Sequence, residues 1–266
     1  MNLKSNTIFI TGGGSGIGKG LAEAFHKLGN QVIIAGRREQ ALKKICGAHA
    51  GMRYYLLDVT DVHSIRSVAG KVIADFPKLN CVINNAGVQK YVDFSGAKPL
   101  DDAALLSELN TNILGLIRVS AEFLPHLRKQ GHATLVNVSS GLAFVPLARF
   151  PVYCATKAAV HSFSVSLRQQ LKDSAVKVLE LIPPYVDTEL GGGSKTRPSG
   201  APVPMPLDQF ISETMEELAR DLDEIAIGPA KNLVAATATE SFKNLRRNES
   251  VRVPMQPQIS LSEAKP

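Results

Sequence analysis

The chain has no uninterrupted apolar run of about 18 residues, so no helix of it is expected to span a membrane. It begins MNLKSNTIFITGG and enters a strand-like run almost at once, which leaves no room for a signal peptide. Cysteine is scarce: Cys46, Cys81 and Cys154 stand alone and are odd in number. That excludes a disulfide framework and points to free thiols in a reducing, cytoplasmic setting. The 6 histidines show no ligand spacing with cysteines or carboxylates, so no metal is assigned. Positive charge exceeds negative by 6, with basic pairs at Arg37-Arg38, Lys43-Lys44 and Arg246-Arg247, but no aromatic-interleaved stripe. Nucleic acid is therefore not an expected partner. No internal repeat is visible.

What remains is a globular composition of 266 residues, 44% hydrophobic and 20% charged, with ample material for a core. Strand-like runs at 7–13, 31–37, 52–60, 79–87, 133–140, 176–184 and 224–228 alternate with helical patterns at 17–29, 38–49, 61–76, 101–130 and 151–173. The runs are continuous and β-branched rather than alternating, as strands covered on both faces require. Such alternation implies right-handed crossovers and one doubly wound parallel α/β sheet of about seven strands. One domain is expected over 1–248. Residues 191–206, GGGSKTRPSGAPVPMP, exceed an ordinary connection and read as a substrate-side loop that closes as a lid. The polar stretch 249–266 reads as a loose tail.

Two local patterns carry chemistry. TGGGSGIG (11–18) follows the first strand and opens the first helix. There Gly12 permits a tight turn, Gly16 lets backbone approach a phosphate, and Gly18 lets the helix pack closely on the sheet. The helix N-terminus then offers free N–H groups and a positive dipole end to a pyrophosphate. The spacing is Gly-x-x-x-Gly-x-Gly rather than Gly-x-Gly-x-x-Gly. VYCATKAAVHSF (152–163) places Tyr153, Lys157 and His161 four apart, on one face of a helix. Taken alone, the pair Tyr153 and Lys157 reads either as a phenol packed under a lysine that reaches water, or as a tuned acid. His161 by itself reads as a packing or hydrogen-bonding residue.

Together these patterns resemble the short-chain dehydrogenase/reductases over roughly 5–240, a Rossmann-type family. The matching features are TGGGSGIG, Asp58 after the third strand, NNAG (84–87) after the fourth, and Asn112 in NTNILG. Ser140 in VNVSS, the YCATK run and PPYVDT (183–188) follow in order. NNAGVQK and the stretch from Ser140 to Ser164 look like those of bacterial DltE-type reductases. Pro184 departs from the family, which more commonly has glycine there.

The resemblance implies an oxidoreductase that interconverts a carbonyl and an alcohol with a nicotinamide cofactor. A phenol near pKa ~10 exchanges protons poorly at neutral pH, and a lysine ammonium one turn away favours its ionised form. Tyr153 is thus the acid in reduction and the base in oxidation, while Lys157 lowers its pKa and holds the nicotinamide ribose. Ser140 orients the substrate oxygen, with Ser139 as the neighbouring alternative. Asn112 holds a water that links Lys157 to solvent, and Asn110 is its packing neighbour. Ser15 and Ile17 belong to the phosphate loop, Asp58 accepts from the adenine amino group beside Val59, and Asn85, Ala86 and Gly87 frame the adenosine side. Pro183, Val186 and Thr188 border the nicotinamide, Thr188 as a donor to its carboxamide.

NADP(H) is expected over NAD(H), which stays as the alternative. Gly36 fills the place of the carboxylate that would repel a 2′-phosphate, and Arg37 follows it, with Arg38 as a second basic candidate. Leu142, Phe144, Tyr185 and Leu190 would line a pocket for an apolar or aromatic small-molecule substrate. The family's usual pairing helices fall at 101–130 and 151–173, so a homodimer or homotetramer is implied. The rival from another class is a dinucleotide-binding sensor or scaffold without turnover.

Overall fold

Buried β-branched runs make the centre of the molecule. The computed structural model describes residues 1–92, 94, 101–190 and 203–237. Its strands are β1 (Thr7–Thr11), β2 (Gln31–Gly36), β3 (Arg53–Leu56), β4 (Cys81–Asn84), β5 (Ala133–Val138), β6 (Val176–Ile182) and β7 (Glu224–Ala226). They form one sheet in the order β3-β2-β1-β4-β5-β6-β7, and every pair is parallel. The strand order reverses between β1 and β4, which opens a crevice at their carboxyl ends.

Helices cover both faces of the sheet. On one side α1 (Gly16–Lys27), α2 (Glu39–Ala48) and α7 (Leu207–Leu218) pack on Ile8 and Ile10 of β1 through Leu21, Phe25, Leu42 and Phe210. On the other, α3 (Val62–Asp75), α5 (Leu116–Leu127) and α6 (Pro151–Gln170) enclose Phe9 of β1. Phe9 meets Phe123 of α5 with ring centroids 4.8 Å apart. A buried polar ladder ties the same layer to the sheet: Asn84 Nδ2 donates to Ser120 Oγ at 2.8 Å and to Asn137 Oδ1 at 2.9 Å, and Asn137 Nδ2 donates to Ser164 Oγ at 3.0 Å. Its donors are satisfied within the ladder, where an isolated amide would be costly, while Asn84 Oδ1 has no partner among the described residues.

Three departures from the sequence reading have physical causes. The third strand was expected over 52–60, but β3 stops at Leu56. Just beyond it Asp58 Oδ1 accepts from Thr60 N at 2.9 Å and from Thr60 Oγ1 at 2.7 Å, a local turn that competes with the ladder. The long helix expected over 101–130 is divided into α4 (Asp102–Glu108), a π-helical turn (Leu109–Gly115) and α5. Wide turns of this kind gather at functional sites, and this one contains Asn112. Helices α7 and α8 (Ala230–Thr237) were not expected, although Leu207, Phe210, Ile211, Thr214 and Leu218 keep a 3.6-residue period.

The π-helical turn is seated on the segment after β3 through Gly115. A Cβ added there would stand 2.7 Å from the Val59 carbonyl oxygen. Gly115→Ala is therefore expected to lower unfolding stability by about 1–3 kcal/mol, read as a lower urea midpoint with unchanged slope.

Candidate active site

The loop after β1 depends on glycine for shape and for room. Gly12 has φ +66 and Gly16 φ +51, which side chains seldom adopt. A Cβ at Gly12 would stand 2.9 Å from Ala86 Cα, and one at Gly18 would stand 2.5 Å from the Gly12 carbonyl oxygen. Gly18 thus admits the loop's own backbone against α1, and also Asn85 Nδ2 from the segment after β4, which would lie closer still to such a Cβ. At Gly16 a Cβ would meet Thr188 Cβ at 3.3 Å, so the segment after β6 lies directly over the loop. Ile17 turns inward onto the core.

Thr11, which the sequence reading passed over, fastens the two sides of the crevice. Its Oγ1 accepts from Asn85 N at 3.0 Å and from Ala86 N at 3.1 Å, while Asn85 Nδ2 donates to the Thr11 carbonyl at 3.0 Å. The available signal was a hydroxyl residue at the end of β1, immediately before the glycines. Val59 and Ala86 line one small recess with Thr11 and Gly115. Asp58 is half-buried. Burial alone would raise its carboxyl, but hydrogen bonds from Thr60 and the charge of Arg37 hold it below the ordinary value. Arg38 rather than Arg37 engages the glycine loop: its Nη2 donates to Ser15 Oγ at 2.5 Å and its Nη1 to Glu189 Oε2 at 2.9 Å.

Four side chains expected to act together are gathered at the end of β5. Ser140 follows that strand, accepts from Leu142 N at 3.1 Å, and shares a hydrogen bond with the Tyr153 phenol. Ser139 is buried and its hydroxyl has no partner among the described residues. Tyr153 and Lys157 are both buried, on the first turns of α6. Lys157 Nζ donates to the Val138 carbonyl at 2.9 Å and lies 5.6 Å from the centre of the Tyr153 ring. A Cβ on Gly87 would stand 3.5 Å from Asn112 Oδ1 and 3.7 Å from Lys157 Nζ, so this glycine keeps the surface above both groups low.

Asn112 acts as a clamp. Its Oδ1 accepts from Val88 N at 2.8 Å, and its Nδ2 donates to the Val88 carbonyl at 2.8 Å and to Thr156 Oγ1 at 3.0 Å. Thr156 Oγ1 donates in turn to the Tyr153 carbonyl at 2.8 Å. The amide is thus occupied, and any water relay at this residue would run through its backbone. Asn110 is half-buried nearby.

The electrostatics differ from expectation at one point. Burial pushes the Tyr153 phenol above its ordinary value; the Ser140 hydrogen bond opposes this, while Cys154 and Glu108 reinforce it. Burial likewise pushes Lys157 from 10.5 down to about 8, against the carboxylate of Glu180. Any lowering of Tyr153 by Lys157 is outweighed by this burial.

The substrate-side residues divide into two pairs. Leu142 and Phe144 are half-buried on the turn after Ser140, and the Phe144 ring lies 4.6 Å from that of His161. Tyr185 and Leu190 are exposed after β6, and no hydrogen bond or ring contact among the described residues joins them to the first pair. Pro183 is buried, with its carbonyl accepting from Gly141 N at 2.9 Å. Val186 pairs with Met205, which binds Tyr185 O and Asp187 N through its backbone. The end of the expected loop is therefore tied down, whereas 191–202 and the tail at 249–266 lie outside the described residues.

A model of the short chain dehydrogenase family matches residues 6–198. The chain belongs to this family. As a short-chain dehydrogenase it is an oxidoreductase, with the seven-stranded sheet of that fold. It is 39% identical over 241 residues to the uncharacterized oxidoreductase DltE of Bacillus subtilis, covering 90% of this chain and 95% of that one. A short chain dehydrogenase of Burkholderia cenocepacia in complex with NADP superposes with a TM-score of 0.78 at 23% identity, covering 95% of this chain and 100% of that one. One of Burkholderia phymatum in complex with NAD gives 0.77 at 21%, covering 96% and 100%.

Burying Lys157 in this dehydrogenase has a thermodynamic signature. With its folded value near 8 and its ordinary value 10.5, the protonated side chain is penalised in the fold below pH 8. That penalty, on the order of 3 kcal/mol, disappears as pH rises from about 8 through 10.5. Lys157→Met lacks it. Its stability relative to wild type, measured by urea unfolding across this range, is expected to fall as pH increases.

Proposed function

We propose that this short-chain dehydrogenase is an NADP(H)-dependent carbonyl reductase or alcohol dehydrogenase, with Tyr153 as its general acid in reduction and general base in oxidation. The observation that carries this reading is the closeness of Ser140 to the Tyr153 phenol, with Lys157 buried one helical turn away under Gly87. These groups stand at the carboxyl end of β5, beside the crevice where the strand order reverses. The glycine cradle fits a dinucleotide, since side chains at Gly12 or Gly18 would collide with backbone and α1 presents its N-terminus there. When bound, the nicotinamide supplies or accepts the hydride.

The chain's own residues do the remaining work. Ser140 holds the substrate oxygen against the phenol, and Tyr153 gives that oxygen a proton in reduction or removes one in oxidation. Lys157, charged and fixed by Val138, favours the phenolate, and the positive charge of an oxidised nicotinamide acts in the same sense. Both effects oppose the burial that raises Tyr153. Leu142 and Phe144 suit an apolar or aromatic carbonyl compound. Exposed Leu106 and Leu114, along α4 and the π-helical turn, favour pairing of copies into a dimer or tetramer.

Preference for NADP(H) is supported by the missing carboxylate at Gly36 and by Arg38, whose guanidinium already binds an oxygen of the phosphate loop. The structural neighbours bind either cofactor, one being a complex with NADP and another with NAD. Loss of one phosphate–arginine contact worth ~1.5–3 kcal/mol would reduce the NADPH preference roughly ten- to a hundredfold. Arg38→Ala is expected to do this, and Arg37→Ala to do less, in a comparison of kcat/KM for NADPH and NADH.

Activity is tested by following cofactor oxidation against a panel of ketones and aldehydes. Tyr153→Phe is expected to leave NADPH affinity nearly intact while lowering kcat at least about a hundredfold. Comparable turnover in that variant would reject the assignment.

A further inference from the structure

A second layer of charge lies behind Lys157. Glu180 is in β6 with its side chain fully buried, a costly place for a carboxylate. It stands in register with Glu224 of β7, so two like charges face each other across neighbouring strands. Between them comes His161, the third residue of the stripe that begins with Tyr153 and Lys157. His161 Nδ1 donates to Glu180 Oε2 at 2.7 Å, whereas Glu180 Oε1 has no hydrogen-bond partner among the described residues.

These three side chains bring ligand-type atoms within 4.8 Å of one another. A bound cation is disfavoured there, because Arg168 already places a guanidinium nitrogen 3.4 Å from Glu224. His161 itself faces the carboxylate with a ring nitrogen. Burial pushes its imidazole down, but the Glu180 hydrogen bond and the charges of Glu180 and Glu224 outweigh burial and Arg168, leaving it raised. Phe144 covers the ring. What Glu180 can do for the site lies in the other direction. Its carboxylate is held by His161 one helical turn beyond Lys157, and Lys157 is bonded to Val138, whose register partner Leu181 adjoins Glu180. Glu180 is thus the anion placed to oppose the desolvation of Lys157.

We propose that Glu180, held in place by His161, is a positioning residue that fixes the charge on Lys157 and through it the proton affinity of Tyr153. The inference rests on the reading of Tyr153 as the acid–base residue. Without a buried anion, a lysine in this place gives up its proton more readily, and the phenol loses the cation that favours its ionised form. Glu180 touches neither substrate nor cofactor in this scheme. His161 matters because a buried carboxylate without a donor takes up a proton and ceases to be an anion.

The experiment is an ultraviolet difference titration of phenol ionisation with NADP+ bound, taking each protein against its Tyr153→Phe counterpart. Glu180→Gln is expected to raise the Tyr153 midpoint by about one pH unit, and to move the acid limb of alcohol oxidation in kcat/KM by the same amount. His161→Phe should reproduce that shift, and His161→Gln, which keeps a donor for Glu180, should largely restore the wild-type midpoint. The His161 pair carries the test if Glu180→Gln does not fold. An unchanged midpoint in folded Glu180→Gln, with Tyr153→Phe inactive, overturns the role of Glu180 and leaves Tyr153 in place. Full activity of Tyr153→Phe overturns both. A stoichiometric divalent metal lost with activity on chelation, and dependent on Glu180, also overturns the proposal.

Discussion

An ammonium buried one helical turn from a phenol is the constraint around which the site is arranged. Lys157 is buried, so protein groups surround it, and each comes from a different element. Val138 at the end of β5 supplies a carbonyl, Glu180 on β6 a countercharge, and Gly87 after β4 a surface without a side chain. The clamp from Asn112 to Thr156 fixes the first turns of α6 against the π-helical turn. A shift of any of these elements would leave a charge uncompensated, which explains why the polar bonds concentrate here.

The same region joins the two halves of the sheet. The reversal of strand order opens the crevice, and the Thr11–Asn85 clamp sets its width. The segment after β6 closes it from above, with Thr188 against Gly16 and Glu189 paired with Arg38. That ion pair is exposed and adds little to stability. Its importance is positional, because it links the residues just after β2 to the segment after β6.

Much of this was legible in the sequence because the carriers were residue types with narrow uses. Continuous β-branched runs gave the strands, and glycines in a strand–turn–helix context gave the loop. Tyr153 and Lys157 stood out by their four-residue spacing, but the spacing alone left two readings and only the resemblance chose between them. The π-helical turn was not readable, since nothing in NTNILG marks it off from an ordinary helix and its close approach to Val59 joins residues far apart in the chain. Helix α7 was readable from its apolar period and was overlooked. The partnership of Glu180 with His161 could not be found from order along the chain, because it joins a strand to a helix face through parallel-sheet register. The direction of the Tyr153 shift was missed for a related reason: spacing shows which charge is near, whereas burial depends on the whole fold.

The central claim, that this site moves hydrogen between a nicotinamide and a carbonyl carbon under the control of a buried phenol, has a direct measurement. NADPH deuterated on the transferring face of the nicotinamide ring is turned over with the best ketone of a panel, in light and in heavy water. Deuterium bonded to the carbinol carbon of the product, with slower turnover in heavy water that vanishes together with activity in Tyr153→Phe, is the expected result. Product formed without the label, or a heavy-water effect that survives undiminished in Tyr153→Phe, would contradict it.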